Sequence, residues 1–332
     1  MKTVVITGCG SGFGFGLAHA CLKAGHHVVA TNPDTEGLLE RIAAGLSADA
    51  RARLEVAVLD VRDQAATQTL AERLGETVDV LVNNAGYAVF ATQEEADLEQ
   101  IRDLFDVNVL GPARTTQAFL PSLRARRGVI VQLSSVAGRM TFPESGFYAA
   151  TKHAVEAMSH ALLCEAGPMG VRVRLIQPGA FATSFYETAE TYAPPLNDTS
   201  VYAEASETWS AWREDVLEAP QDPQLVIHAI LKSMDDLAPY QRIPVGADAA
   251  RILGLIEAIG EDAWTAWSLQ QSGYTQQATP AGILSPEDAL RTTDLQALKA
   301  TLAALRLGHL ASWERTENGR AALAHLKKIS VL

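Results

Sequence analysis

Residues 3–14 read TVVITGCGSGFG, an apolar run that passes into a cluster of glycines. The run Thr3–Thr7 predicts a buried strand, and residues 17–22 have the apolar spacing of a helix. Glycines let a backbone approach a ligand closely, and a turn from strand to helix directs backbone N–H groups at a pyrophosphate. A glycine-rich turn that binds nothing is the alternative, but it does not account for the strand and the helix on either side. The stretch therefore predicts a dinucleotide site at the start of an α/β sheet.

Strand and helix patterns continue to alternate after this turn. The sequence predicts further strands at 26–31, 54–59, 78–82, 128–133 and 171–176, and helices at 36–46, 64–74, 98–119 and 151–166. Short connections between them indicate the α/β class with a doubly wound parallel sheet, the Rossmann fold. Ligands of such sheets bind beyond the carboxyl ends of the strands. The polar or glycine-rich positions at those ends are Gly8–Gly14, Asn32, Asp60, Asn83, Ser135 and Pro178.

Composition narrows the class of protein. Hydrophobic residues make up 48% of the 332 residues and charged residues 20%, as in ordinary globular proteins, and the formal net charge is -12. An acidic chain argues against a nucleic-acid-binding surface, and no apolar run approaches the about 20 residues of a membrane-spanning helix. The first strand begins at Thr3, which argues against a signal peptide, and Cys9, Cys21 and Cys164 lack C-x-x-C spacing. We therefore expect a cytoplasmic protein that binds neither nucleic acid nor a metal ion.

The pair Tyr148 and Lys152 is a candidate acid/base device. The two residues lie four apart at the start of a predicted helix, so their side chains can share one face. The pKa of a phenol is normally about 10, and an adjacent ammonium lowers it by favouring the phenolate. Because the spacing Y-x-x-x-K arises by chance on many surface helices, the pair needs support from other parts of the chain.

Several motifs in order supply that support, and together they resemble the shorter branch of the short-chain dehydrogenase/reductase family. Thr7–Gly14 looks like the family's T-G-x-x-x-G-x-G, Asn83–Gly86 looks like its N-N-A-G, and Tyr148 begins its Y-x-x-x-K. Ser135 precedes the tyrosine by the family's usual interval, and Pro178–Thr183 is similar to its P-G-x-x-x-T. The resemblance covers residues 1–245, and the wording of the glycine motif is similar to retinol and hydroxysteroid dehydrogenase-like members.

The resemblance implies which residues form the site. The implied catalytic residues are Asn108, Ser135, Tyr148 and Lys152. The implied cofactor-binding residues are Gly8, Ser11, Gly12, Phe13, Gly14, Asn32, Asp60, Val61, Asn84, Ala85, Gly86, Tyr148, Lys152, Pro178, Gly179 and Thr183.

The resemblance also implies the chemistry, a hydride transfer between a nicotinamide cofactor and an alcohol or ketone. Tyr148 would exchange a proton with the substrate oxygen, and Lys152 would depress the tyrosine pKa and hold the nicotinamide ribose. Ser135 would bond the substrate oxygen, and Asn108 would hold a water that links Lys152 to solvent. In isolation, Ser135 would be interpreted as a strand-end turn serine, and Asn108 as a helix residue bonded to nearby backbone.

The end of the second strand bears on the choice between NAD and NADP. An acidic side chain at this place usually bonds the ribose hydroxyls of NAD. This chain has Asn32 there, followed by Pro33 and Asp34, and Ser11 stands where some NADP enzymes carry a basic residue. We expect a preference for NAD with NADP as the alternative, because these positions offer no cation to a 2′-phosphate. A preference for NADP would mean that a cation from elsewhere in the sequence, Arg41 or Arg62, reaches the site. Asp34 is alternatively the N-cap of the predicted helix from Glu36.

The segment from about 183 to 220 is predicted to be a substrate lid. It is rich in aromatic residues, which favour a bulky apolar or aromatic secondary alcohol or ketone. Those residues are Phe185, Tyr186, Tyr192, Tyr202, Trp209 and Trp212. The alternative is that they pack a helix onto the core or onto a subunit interface.

The sequence predicts two domains, a catalytic domain over 1–259 and a helical C-terminal extension over 260–332. The extension has a helix start at Ser285–Asp288 and could cover the pocket, join subunits or bind another molecule. A homodimer or homotetramer is expected from the family resemblance. The second function class that stays open is a catalytically silent nucleotide sensor or scaffold that uses the extension as an interaction module.

Overall fold

The computed structural model describes residues 1–192, 200–203, 206, 220–238, 240–260 and 264–265. The chain divides into two compact units, Met1–Pro195 with Gln221–Val245, and Leu196–Pro220 with Gly246–Leu332. The first unit contains the sheet and all the candidate site residues. The predicted domain boundary at residue 260 stays a prediction.

Within the described ranges, seven strands form one parallel sheet in the order β3-β2-β1-β4-β5-β6-β7. The strands are β1 (Thr3–Ile6), β2 (His27–Asn32), β3 (Leu54–Val58), β4 (Val80–Asn83), β5 (Val129–Leu133), β6 (Arg172–Pro178) and β7 (Tyr240–Val245). At the centre of the sheet, Val5 of β1 pairs with Val29 of β2 on one side and Leu81 of β4 on the other. The chain reverses direction across the sheet between β1 and β4, so their carboxyl ends open the crevice where such sheets bind ligands. The prediction of a doubly wound parallel sheet is confirmed.

Helices connect the strands. They are α1 (Gly12–Lys23), α2 (Leu38–Ala43), α3 (Ala48–Arg51), α4 (Gln64–Leu74), α5 (Leu98–Phe105), α6 (Gly111–Arg126), α7 (Gly146–Ala166), α8 (Phe185–Tyr192), α9 (Gln224–Asp235) and α10 (Ala247–Ile259).

The sheet separates two hydrophobic layers, because successive strand residues point to opposite faces. Val4 and Ile6 of β1 lie in the cluster that contains the apolar residues of α1, α2 and α9. Val5, between them, lies in the cluster with α4, α6 and α7. All three side chains are fully buried, which is typical of a parallel sheet with both faces covered.

The helix predicted over 36–46 is shorter and divided. Gly45 adopts a left-handed φ of 72°, and the chain makes the separate turn α3 after Ser47, whose hydroxyl accepts from the Ala50 N–H at 3.2 Å. Asp34 is not the N-cap of α2, because Gly37 occupies that position. Its carboxylate instead accepts from the Glu36 N–H at 2.9 Å in a local turn.

The helix predicted over 98–119 is interrupted. A π-helical turn, Asp106–Leu110, separates α5 from α6 and contains Asn108. Pro112 has no N–H, so the Asn108 carbonyl lacks the donor that the fourth residue after it would supply in a regular helix. The predicted helical extension over 260–332 lies outside the described residues, except for 260 and 264–265.

Candidate active site

The glycine turn after β1 packs against the turn after β4. The Thr7 hydroxyl accepts from the backbone N–H groups of Asn84 and Ala85, both at 3.0 Å. The Asn84 amide donates to the carbonyls of Thr7 at 2.8 Å and Gly8 at 3.0 Å. A Cβ at Gly14 would lie only 2.3 Å from the Gly8 oxygen, so the turn closes only with glycine there. The two motifs thus form one backbone cradle.

The N-terminus of α1 is open toward the ligand side of the cradle. Ser11 is its N-cap in an extended conformation and makes no side-chain capping bond. A Cβ at Gly12 would meet only Thr183, at 3.9 Å, and Gly12 has a left-handed φ of 55°. The first-turn N–H groups of a helix have no intrahelical acceptor, so this arrangement fits a pyrophosphate. The partly buried Phe13 ring packs edge-on against Phe181 at 5.7 Å, and the cofactor contact predicted for Phe13 stays a prediction.

The cradle holds a thiol between two of its glycines. Cys9 is fully buried, and burial raises the pKa of its thiol to about 12. Its sulfur bonds the Ile6 carbonyl at 3.3 Å. Cys9 is therefore a packing residue of the cradle.

The ribose end of the predicted site contains Asn32 and a cation. The Asn32 side chain accepts from the Gly10 N–H at 3.1 Å and donates to the Asp34 carbonyl at 2.6 Å. The Arg41 guanidinium of α2 donates to the Gly10 carbonyl at 2.6 Å and lies over the Phe15 ring. This cation arrives from the following helix, and it is one of the two, with Arg62, that the sequence left open as partners of a 2′-phosphate.

The adenine end contains the predicted pair Asp60 and Val61. Arg62 bonds Asp60 through its backbone and its guanidinium, with the closest ion-pair distance 2.6 Å, and this bonding lowers the pKa of the Asp60 carboxyl. The same guanidinium reaches Asp103 at 2.5 Å, and the Tyr87 hydroxyl donates to Asp103 at 2.9 Å. Sequence reasoning missed this network, which joins the turn after β3 to the turn after β4.

Tyr148 and Lys152 both lie on α7, so they are one helical turn apart on the same helix. The Lys152 Nζ lies 5.7 Å from the centroid of the Tyr148 ring and donates to the Leu133 carbonyl at 2.8 Å. Tyr148 is 8% exposed and Lys152 is 6% exposed, so both functional groups are largely shielded from solvent. Their burial decides their charge states.

Burial shifts the pKa values of this pair toward the uncharged forms. The pKa of Tyr148 lies above its usual value because burial disfavours the phenolate, while a hydrogen bond with Ser135 opposes the rise. Burial lowers the pKa of Lys152 to about 8, and the negative charge of Glu156 opposes this fall. The expected lowering of the Tyr148 pKa by Lys152 is not the dominant effect here, because desolvation is stronger.

Ser135 and Asn108 support this pair from two sides. Ser135 follows β5, and its Oγ accepts from the Ala137 N–H at 3.1 Å besides its bond with Tyr148. Asn108 is 1% exposed, and its amide donates to the Tyr87 carbonyl at 2.8 Å and the Thr151 hydroxyl at 3.2 Å. The Asn108 side chain is therefore engaged with protein atoms.

The predicted segment Pro178–Thr183 follows β6 into the same mouth of the sheet. The Gly179 N–H donates to the Val245 carbonyl at 3.0 Å, which continues the pairing of β6 with β7. Thr183 faces the glycine loop across Gly12, as described above. The residues predicted from separate motifs thus collect at one edge of the sheet.

Aromatic side chains surround the Tyr148 ring. The Phe185 centroid lies 5.6 Å from it, and the Phe90 centroid lies 6.4 Å away. Tyr186 stacks on Phe90 at 6.5 Å and contacts Phe185 edge-on at 5.6 Å. We call Phe90, Phe185 and Tyr186 the aromatic cluster. Phe185 and Tyr186 belong to the predicted lid, whereas Phe90 was missed because it comes from the loop after β4.

The rest of the predicted lid gives less information. Trp209 and Trp212 lie outside the described residues, and the Tyr192 side chain is not described. Tyr202 lies in the second unit.

The part of the chain that the structure describes contains neither a membrane-spanning helix nor a metal-binding cluster. None of its helices combines the length and apolar character that crossing a bilayer requires. No group of three His, Cys, Asp or Glu side chains is arranged there to bind a metal ion.

Comparison with known proteins gives the family. The sequence model of the short chain dehydrogenase family matches residues 2–192. Retinol dehydrogenase 7 of Mus musculus is 40% identical over 188 residues, which are 55% of this chain and 58% of that protein. The mitochondrial D-beta-hydroxybutyrate dehydrogenase of Rattus norvegicus is 37% identical over 193 residues, 56% of each chain. This chain therefore matches little more than half the length of either relative.

Solved structures agree with this family. A short chain dehydrogenase/reductase from Burkholderia phymatum in complex with NAD is 26% identical, with a TM-score of 0.63 over 81% of this chain and 95% of that one. The glycine cradle, the parallel sheet and the sequence match all lead to the same conclusion. The chain belongs to the short-chain dehydrogenase/reductase family, and it is an NAD(P)-dependent oxidoreductase that acts on a CH–OH group.

Proposed function

We propose that the protein interconverts a bulky, apolar or aromatic ketone and its secondary alcohol. The observation that carries the proposal is the aromatic cluster around the Tyr148 ring. A substrate oxygen that reaches the phenol must bring its carbon substituents against Phe90, Phe185 and Tyr186, and such surfaces favour apolar groups.

The names of the relatives support an alcohol or ketone substrate, but they do not indicate whether it is large or small. One is named for retinol, a large apolar alcohol, and the other for hydroxybutyrate, a small acid. Their identities to this chain are nearly equal, so the choice rests on the aromatic cluster. The aromatic cluster favours the larger and less polar class.

The chain's own residues supply the proton chemistry. A nicotinamide cofactor supplies or accepts the hydride when it is bound. Tyr148 donates its proton to the carbonyl oxygen during reduction, and Ser135 donates a hydrogen bond to the same oxygen. Lys152 holds the nicotinamide ribose, and Asn108 holds the water that returns a proton through Lys152.

The glycine cradle suits a dinucleotide, and we propose NAD as the preferred form. Asn32 offers both a donor and an acceptor to ribose hydroxyls, and it lies against the Gly10 backbone. The nearby Arg41 guanidinium is engaged with the Gly10 carbonyl and the Phe15 ring. A 2′-phosphate would have to share that guanidinium with the Gly10 carbonyl.

A substrate panel tests the proposal. Purified protein with NADH is given matched ketones that increase in apolar size, together with short keto acids, and nicotinamide absorbance is followed. We expect kcat/KM to rise with apolar size. A rise toward the small keto acids would overturn the proposed substrate class. Tight NADH binding without turnover of any ketone or alcohol would instead support the silent sensor.

Assembly and location remain part of the proposal. We propose a homodimer or homotetramer in the cytoplasm, acting on a small molecule and not on nucleic acid. Light scattering of the full chain tests the assembly, because a monomer at working concentration would contradict it.

A further inference from the structure

A buried carboxylate stands behind the proton-transfer pair. Glu156 lies four residues after Lys152 and eight after Tyr148, so all three side chains belong to one face of α7. Glu156 is 5% exposed. A charged side chain that is buried to this degree needs several compensating contacts.

Those contacts come from three neighbouring strands of the sheet, β5, β6 and β7. The Glu156 carboxylate accepts from the Ser134 hydroxyl after β5 at 2.7 Å and from the Gln177 amide of β6 at 2.9 Å. Its second oxygen accepts from the Arg242 guanidinium of β7 at 2.8 Å. Two of these donors immediately precede site residues, since Ser134 precedes Ser135 and Gln177 precedes Pro178.

The packing leaves little freedom around this carboxylate. A Cβ at Gly138 would lie 2.6 Å from the Ser134 hydroxyl and 3.0 Å from the Glu156 Cγ. It would also lie 3.2 Å from the Lys152 carbonyl. The turn that carries Ser135 therefore closes directly onto the helical segment between Lys152 and Glu156.

We propose that Glu156 and Arg242 form a positioning pair that fixes the two turns that carry Ser135 and Pro178 and tunes the charge of Lys152. In this pair the Glu156 carboxylate favours the ammonium form of Lys152, and Arg242 holds that carboxylate and limits its effect. The inference rests on the proposed function of Tyr148 and Lys152. In this proposal the Glu156 carboxylate acts on Tyr148 and Lys152 through its charge and does not contact substrate or cofactor.

The sign of the electrostatic effect follows from the charges in this region. The titratable groups that face one another there are Tyr148, Lys152 and His160 on α7, Tyr240 and Arg242 on β7, and Arg139 after the turn. The carboxylate favours the Lys152 ammonium, while Arg242 offsets part of its charge. Removing the carboxylate should release the Lys152 proton at lower pH, and removing the arginine should retain it to higher pH.

Opposite pH shifts in two variants test this pair. The substrate-free measurement is NADH affinity by nicotinamide fluorescence across pH, since the Lys152 ammonium binds the ribose. In the parent protein the affinity should fall above about pH 8. Glu156→Gln should move that fall to lower pH and Arg242→Gln to higher pH, each by about one unit.

Ketone reduction gives a second measurement with the same signs. It requires both the Tyr148 hydroxyl and the Lys152 ammonium, and loss of a negative charge lowers both pKa values. The alkaline limb of kcat/KM should therefore move to lower pH in Glu156→Gln and to higher pH in Arg242→Gln.

Two control variants separate charge from structure. Glu165→Gln removes an exposed carboxylate from the same helix, and Ser134→Ala removes one hydrogen bond while it keeps the Glu156 charge. Neither should move the pH at which NADH affinity falls.

Each negative outcome has its own meaning. If both variants of the pair titrate like the parent protein, or shift in the same direction, the inference is overturned. If Glu156→Gln does not fold, Arg242→Gln alone decides, because any result other than a shift to higher pH overturns the inference. A parent protein that binds NADH but reduces no ketone contradicts the proposed function and leaves the binding measurement valid.

Discussion

The glycine cradle and the aromatic cluster are built in different ways. The cradle is made of backbone, with Thr7, Gly8 and Gly14 held against the turn after β4 by hydrogen bonds and by contacts that exclude a Cβ. The aromatic cluster is made of side chains, and rings from the loop after β4 and from the start of α8 meet at Tyr148. The difference indicates that the cofactor site tolerates little change, whereas the substrate site can change by replacement of single rings. Specificity can therefore diverge while the fold and the cofactor stay the same.

The largest effect is expected where the two regions meet, at Tyr148. Tyr148→Phe keeps the ring in the aromatic cluster and removes only the transferable proton, so kcat should fall by roughly 10²–10⁴. NADH affinity, measured by fluorescence, should remain that of the parent protein. Near-normal turnover would remove Tyr148 from the role of proton donor.

The next largest effect tests the rigidity of the cradle. In Gly14→Ala the added Cβ would stand 2.3 Å from the Gly8 oxygen and 2.5 Å from the Asn84 amide. Overpacking of this kind lowers the free energy of unfolding by about 1–3 kcal/mol. NADH affinity should fall as well, because the clash displaces the backbone N–H groups of the loop. Isothermal calorimetry measures the NADH affinity of this variant and of the parent protein. Unchanged NADH affinity in Gly14→Ala would mean that the backbone of the cradle can shift to accommodate a Cβ, and would contradict its proposed rigidity.

Substitutions at the edge of the cradle should have a smaller effect, on the preference between NAD and NADP. Asn32→Asp should strengthen the preference for NAD by about 1–3 kcal/mol if a charge-assisted bond to the ribose forms. Pro33→Arg should move the preference toward NADP, because it supplies a cation for the 2′-phosphate. The quantity to compare is the ratio of kcat/KM for NADH and NADPH with one ketone.

The parent protein's own ratio decides whether Arg41 takes part. A ratio that favours NADPH would contradict the proposed NAD preference. If Arg41→Ala then abolished that ratio, the phosphate would be bound by Arg41, which already contacts the Gly10 carbonyl.

The smallest effect tests how easily the substrate region changes. Phe185→Ala removes one ring from the aromatic cluster and should lower kcat/KM for a bulky apolar ketone by roughly three- to tenfold. A small ketone should lose less, and NADH affinity should not change. Thr188→Ala, at an exposed position on the same helix, is the matched control. Equal losses for large and small ketones would mean that Phe185 supports Tyr148 and does not select the substrate.

Sequence patterns predicted the features that depend only on residues close together in the chain. The run from Thr3 to Gly14 predicted the strand, the glycine turn and the helix, and all three are present. The spacing of Tyr148 and Lys152 likewise depends only on helical geometry. The interruption at Asp106–Leu110 was not predicted, because apolar periodicity continues through a π turn that adds a single residue.

Contacts between distant segments could not be predicted from the same patterns. Phe90 reaches Tyr148 from another loop, and Arg242 reaches Glu156 across 86 positions of sequence. Such contacts depend on strand order and register, which place residues with no shared local motif side by side. The pKa of Tyr148 is a further case, since its desolvation depends on the rings packed around it.

The burial of Cys9 has a practical consequence for labelling. A thiol whose pKa is raised to about 12 is almost entirely protonated at neutral pH, and Cys21 has the same property. Alkylating reagents and mild oxidants attack the thiolate, so both buried thiols should be inert toward them in the folded protein. Cys164 is exposed, and the chain has three cysteines in all. A maleimide dye should therefore attach at one point on α7, well outside the glycine cradle, without any cysteine having to be engineered away.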